Sequence, residues 1–342
     1  MSGSITCSHK KRHMSKTIHW GIIGLGKIAH KFAQDLVHVK GAKLHAVAAS
    51  SLGRAQEFAK THQAAHAFGS YESLLDCPDL DVVYIATPHN LHHENTLMCL
   101  NKGIAVLCEK PFAINAAQAA QMIDLARTKD VFLMEALWTR FLPVTQKVLE
   151  LIESGAIGEV LSVKADFGFQ ASFEASSRLY DPALGGGALL DIGIYPVFLA
   201  SLLFGKPSQM KALAHIGPTG VDEEIGVLLQ YAGGQMAHLH ASIRAKSKTE
   251  AFIYGESGTI HIHTRWHESL SLTLLKPNER PHDFSIMAHS RGYDYEAEEV
   301  VRCLQEGLKE SSLWPLESTY ALMQLLDDIR RQAGIVYSDY DV

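Results

Sequence analysis

The chain has 342 residues, 47% hydrophobic and 20% charged. That is too long for one typical core, so two domains are expected, in a composition ordinary for a globular protein. A formal net charge of −6 gives no footing for nucleic acid, and no apolar run is read as the ~20 residues a membrane span needs.

The nineteen histidines are scattered. No Cys-x-x-Cys occurs and no histidine pair joins a third ligand at metal spacing, so no metal is expected. Cys7, Cys77, Cys99, Cys108 and Cys303 lack framework spacing and read as the thiols of a cytoplasmic protein. Residues 1–15 open polar and basic with no apolar segment after them. They read as a disordered extension rather than a signal peptide.

The first element is the apolar run around Trp20, Ile22 and Ile23. It leads into Gly24-Leu25-Gly26-Lys27-Ile28-Ala29, and a helical pattern follows. Strand, G-x-G-x-x-A turn and helix form the dinucleotide fingerprint. Gly24 permits the tight turn, Gly26 lets a pyrophosphate approach the backbone, and Ala29 lets the helix lie close to the strand. The first turn, with Lys27 and Ile28, offers free N–H groups to phosphate.

Lys43 to Ala49 reads as the second strand. An NAD site usually carries Asp or Glu at its end, for the ribose 2′-hydroxyl. Here Ser50 and Ser51 stand there, with Arg54 one turn into the next helix. Hydroxyl donors and a cation favour NADP, with NAD as the alternative. Arg54 also reads as a solvated first-turn residue.

Asp81 to Ala86 is the fourth strand, ending in Thr87-Pro88-His89-Asn90. Loops at the carboxyl ends of such strands hold the ligand, so these four residues are placed at the nicotinamide half. For His89, His92 and His93 the plainer reading is helix capping and surface, with only the loop geometry arguing for a ligand contact. Gly103 to Cys108 is the fifth strand and ends in Glu109-Lys110-Pro111. Lys110 is then aimed into the crevice, where an ammonium can bind a substrate hydroxyl. Val131 to Glu135 closes the nucleotide domain, residues 16–135. Trp138, Arg140 and Phe141 follow, read either as pocket lining or as a packed hinge.

Residues 136–342 form the second domain. Its signal is a single helix from Ala188 to Phe204, preceded by Gly185-Gly186-Gly187 and by Arg178. Asp191 and Tyr195 lie four apart on one helix face, a carboxylate and a phenol in an otherwise apolar stretch. Six alternating segments between Gln209 and Leu275 read as an antiparallel sheet.

Together, Gly24–Ala29, Ala86–Asn90, Glu109–Pro111 and Gly185–Tyr195 resemble the Gfo/Idh/MocA oxidoreductase family over about Thr17 to Tyr337. Glu135 to Phe141 is similar to its dihydrodiol dehydrogenase and NADP-dependent xylose dehydrogenase branch. The resemblance implies an α/β chain: a Rossmann domain, then an α+β domain with an open-faced, mostly antiparallel sheet that commonly serves as the oligomer interface of a homodimer or higher homo-oligomer. It implies hydride transfer between NAD(P) and a hydroxyl-bearing carbon of a sugar or diol, which with the Ser50, Ser51 and Arg54 reading gives an NADP(H)-dependent enzyme acting on an aldose or cyclic diol. Lys110 matches a lysine that contacts cofactor and substrate. Tyr195 stands where many members carry a catalytic histidine, and Asp191 matches the aspartate one turn earlier. Tyr195 is then the base for oxidation, its pKa lowered by Lys110. Arg178 joins Trp138, Arg140 and Phe141 as a substrate contact. Two other readings stay open: a glycosidase that retains its cofactor, and a non-catalytic NADPH-binding regulator.

Overall fold

The computed structural model describes residues 16–341; the expected extension over residues 1–15 lies outside them. The first half alternates strand and helix: β1 (Ile18–Ile23), α1 (Lys27–Leu36), β2 (Ala42–Ala48), α2 (Leu52–His62), β3 (His66–Phe68), α3 (Tyr71–Leu74), β4 (Val82–Ile85), α4 (His92–Asn101), β5 (Ala105–Glu109), α5 (Ala116–Lys129) and β6 (Leu133–Ala136). The sheet order is β3-β2-β1-β4-β5-β6, and every pairing is parallel. Strands covered on both faces need apolar residues throughout. β4, Val82 to Ile85, is accordingly buried at every position. The strand order reverses between β1 and β4, which opens a crevice at their carboxyl ends.

α6 (Pro143–Glu153) leads into the second domain. Then come β7 (Val160–Gly168), α7 (Ile194–Phe204), β8 (Gln209–Ile216), β9 (Asp222–Gln230), β10 (Met236–Ser242), β11 (Ala251–Gly255), β12 (Thr259–Ile262), β13 (Ser271–Leu275), β14 (His282–Ser285), α8 (Tyr293–Gln305) and α9 (Leu316–Ala333). The sheet has eight strands, ordered β14-β13-β12-β11-β7-β10-β9-β8. β7 sits in its middle and pairs with β10 in parallel. The expected six antiparallel strands are therefore joined by β7 and β14, and one pairing is parallel. β14 is short and polar, so alternation does not reveal it, and pairing direction is not written in a strand's own residues.

The expected single helix over Ala188–Phe204 is also revised. Leu189–Gly193 is a π-helical segment that runs into α7. The helical stretch Pro182–Phe204 is long and apolar enough to cross a membrane by length and composition, contrary to the expectation that no run was. It is the central helix of the second domain, with 78% of its apolar window buried inside the protein. Asp222 fixes its start: its carboxylate accepts the Leu189 N–H at 2.7 Å. Tyr337, from the last residues, donates its hydroxyl to the Gly186 carbonyl at 2.5 Å.

Candidate active site

The glycine turn is shaped for close approach. Gly24 has φ +84°, and a Cβ there would stand 2.5 Å from the backbone nitrogen of Thr87. No side chain fits between β1 and the exit of β4. A Cβ on Gly26 would meet nothing within 4 Å, so space lies over the start of α1. No side chain caps that helix, and its first turn carries no acid. Its first N–H groups are therefore open to an anion. At the end of β2, Ser51 is the N-cap of α2 but makes no side-chain capping bond. Ser50, Ser51 and Arg54 are all exposed there. Across the crevice, Asn90 Oδ1 is buried without a partner, an acceptor fit for a carboxamide N–H. This cradle fits a nicotinamide dinucleotide.

Lys110 leaves the end of β5 and reaches the π-helical segment. Its Nζ donates to the Asp191 carbonyl at 2.6 Å and lies 3.7 Å from the Asp191 carboxylate. It also stands 5.0 Å from the centre of the Tyr195 ring. Arg178 donates both of its terminal nitrogens to the same carboxylate, at 2.7 and 3.4 Å. Burial opposes ionisation of Asp191, but the charges of Lys110 and Arg178 outweigh it and hold the carboxyl well below its ordinary value. Asp191 is thus a fixed anion between two cations.

Tyr195 is buried, and its hydroxyl accepts the Trp138 indole N–H at 2.9 Å. Trp138 is itself held flat against Tyr293, ring centres 4.4 Å apart. Burial pushes the Tyr195 phenol well above its ordinary value; the Trp138 bond offsets part of this, and nearby carboxylates add to it. The expected lowering by Lys110 does not govern the resting site. There Tyr195 keeps its proton.

Glu109 is fully enclosed. It accepts the Tyr84 hydroxyl and, at 3.1 Å, the Lys110 backbone N–H. Its role is to anchor the Lys110 backbone. The Lys110–Pro111 bond is cis.

Several predicted contact residues are engaged by other parts of the chain. His89 is buried, and its Nδ1 meets the Gly185 carbonyl at 3.1 Å. Desolvation takes its pKa down to about 3, so it is a neutral brace between the two domains. His92 bridges the carbonyls of Pro111 and Thr87 at 2.8 and 3.0 Å. The Thr87 hydroxyl is taken by Asn95. Arg140 does not join the site: its Nε donates to the Leu313 carbonyl at 2.9 Å, toward the segment before α9. Phe141 packs into the core, which is the hinge reading for both. The structure adds His267, whose ring centre is 5.1 Å from that of Tyr195. Burial lowers its pKa to about 3. Its only sequence signal was the Trp266-His267-Glu268 triplet interrupting two strands.

Residues 18–137 match the model described as "Oxidoreductase family, NAD-binding Rossmann fold", and residues 145–261 match the GFO/IDH/MocA C-terminal domain. The chain belongs to the Gfo/Idh/MocA oxidoreductase family. It is an NAD(P)-dependent dehydrogenase. It is 42% identical to trans-1,2-dihydrobenzene-1,2-diol dehydrogenase of Danio rerio, covering 94% of this chain and 98% of that one. The same-named enzymes of Mus musculus and Homo sapiens are 38% and 35% identical, with the same coverage. A 3-ketoreductase from Actinomadura kijaniata, solved with NADP and TDP-benzene, superposes with a TM-score of 0.84 at 25% identity, covering 93% of this chain and 98% of that one. Levoglucosan dehydrogenase, solved with NADH and levoglucosan, shares the fold, with a TM-score of 0.85 at 22% identity and coverage of 93% and 97%.

Proposed function

We propose that this chain is an NADP(H)-dependent dehydrogenase of a small cyclic diol or aldose, with Lys110, Asp191 and Tyr195 at its reacting centre. The observation that carries this is the convergence of Lys110 Nζ and the Tyr195 ring, 5.0 Å apart, beside the dinucleotide cradle. The diol class rests on relatives of that name at 35–42% identity over nearly the full length.

Bound nicotinamide supplies the hydride acceptor or donor. The protein's part is alignment and proton handling. Lys110 offers its ammonium to the substrate oxygen and favours the alkoxide that develops there. Asp191 and Arg178 hold Lys110 in place and keep charge near balance. The Tyr195 hydroxyl, protonated at rest, delivers a proton to the oxygen during carbonyl reduction. In the oxidative direction the same group receives it, by microscopic reversibility. Trp138 N–H fixes the phenol oxygen and steadies its anion.

Ser50, Ser51 and Arg54 support NADP, because no carboxylate stands at the end of β2 to repel a 2′-phosphate. The open face of the second sheet is proposed as the contact with a second copy of the chain.

The test is absorbance at 340 nm with NADP or NAD and a panel of cyclic diols and aldoses. Reduction of NADP by one substrate class is the expected result. Tyr195→Phe is expected to lower kcat about 10²–10⁴-fold with little change in NADP affinity. Unchanged turnover in that variant refutes the proton role.

A further inference from the structure

The expectation of no metal rested on local spacing. The fold brings together three residues that the sequence keeps apart. His45 lies on β2, His66 opens β3, and Cys77 lies between α3 and β4. One ligand atom from each lies within 4.8 Å of the other two. The group sits toward the amino ends of the strands, whereas the dinucleotide cradle lies at their carboxyl ends.

His45 is the informative member. Its Nε2 meets the Pro78 carbonyl at 3.0 Å. A carbonyl only accepts, so Nε2 carries the ring proton and Nδ1 keeps a lone pair. Nδ1 is buried and has no hydrogen-bond partner, and the residue is only 9% exposed. A buried imidazole whose outer nitrogen is held by a backbone carbonyl, with the other nitrogen free, has the arrangement of a metal-ligating histidine. His19 stacks on the ring at 4.8 Å, and its own Nδ1 is held by the Asp79 carbonyl at 2.9 Å. His45 is thus fixed in orientation before any ion arrives. The register between β1 and β2 shifts between Trp20 and Gly21, opposite His45.

We propose that His45, His66 and Cys77 form a zinc(II) site, with water completing the coordination. Two imidazoles and one thiol suit an ion of borderline softness and disfavour magnesium or calcium. Ligand atoms of a tetrahedral zinc lie about 3.5 Å apart. His66, the exposed member, is free to swing inward and close the gap. Zinc replaces the Cys77 thiol proton, which passes to solvent. The ion would tie the three-residue edge strand β3 to β2 and to the segment before β4, far from the hydride-transfer centre.

The test uses tag-free full-length protein, stripped with a chelator and titrated with Zn²⁺ against a chromophoric competitor. One equivalent per chain is expected, together with a rise in Tm. Co²⁺ in place of Zn²⁺ should give a thiolate-to-cobalt absorption band. Cys77→Ser should abolish that band. His66→Ala, at an exposed position and so compatible with folding, should weaken Zn²⁺ at least about tenfold and remove the Tm rise. His215→Ala, on the other domain, should change neither. Absence of stoichiometric binding, or binding indifferent to both Cys77→Ser and His66→Ala, overturns the site.

Discussion

The proposed preference for NADP turns on Arg54 and its neighbours. The Ser51 side chain makes no capping bond to α2, and the Arg54 guanidinium is exposed beside it. A charge-assisted bond to a 2′-phosphate is worth roughly 1.5–3 kcal/mol. Arg54→Ala is therefore expected to raise the KM for NADP about tenfold or more and leave that for NAD nearly unchanged. The ratio of kcat/KM for the two cofactors reads this directly, and an unchanged ratio removes Arg54 from the site. Lys110, Asp191 and Tyr195 were legible because each is a polar residue at the end or in the middle of an apolar element. Trp138 was read as pocket lining or hinge, and its bond to Tyr195 was not foreseen, since that bond spans 57 positions. Arg140 misled for the same reason: its partner, the Leu313 carbonyl, is 173 positions away.

Among elements, the nucleotide half read almost directly from the sequence. Its strands are short apolar runs, each closed by a turn signal, and right-handed crossovers narrow the orders they can take. The Gly185–Tyr195 segment read less well. Periodicity predicted an α-helix, whereas Leu189–Gly193 is π-helical, a form often found at functional sites. Its start is also held by Asp222, and a Cβ on Gly187 would lie 2.2 Å from that carboxylate. Burial pushes the pKa of Asp222 up to about 7, against the Leu189 N–H that draws it down. An acid raised in the folded state binds more protons than the unfolded chain between pH ~4 and ~7, so its contribution to stability falls as pH rises through that window. The shift corresponds to about 4 kcal/mol at most. Asp222→Asn keeps an acceptor for Leu189 and cannot ionise. Urea unfolding at pH 5 and pH 8 should show wild type losing more stability than Asp222→Asn. Glu135, also raised to about 7 by burial, leaves a residual slope in both. Equal losses would show that Asp222 does not carry the effect.

At the scale of the whole molecule, the eight-stranded sheet has two unlike faces. One packs Val163, Ala165, Val227, Leu229, Leu239 and Ile253 into the core. The other is set by register: Leu228 pairs with His238, His238 with Lys164, and Lys164 with Phe252. Leu213, on the edge strand β8, is 83% exposed, and Leu228 and Tyr254 are 37% and 38% exposed. Apolar residues spread among Lys, His and Asp over a broad sheet resemble a partner-binding surface better than a solvent face. If two copies meet there, Leu228→Glu places a charge within the contact, flanked across β9 by Lys211 and His238. Light scattering should then give a dimer for wild type and a monomer for Leu213→Glu/Leu228→Glu. Turnover per chain should persist in that variant, because the Lys110–Tyr195 centre lies on the opposite side of the sheet, with α7. A monomeric wild type rejects the interface. A variant that dissociates and also loses turnover would mean that assembly, rather than one chain alone, completes the catalytic crevice.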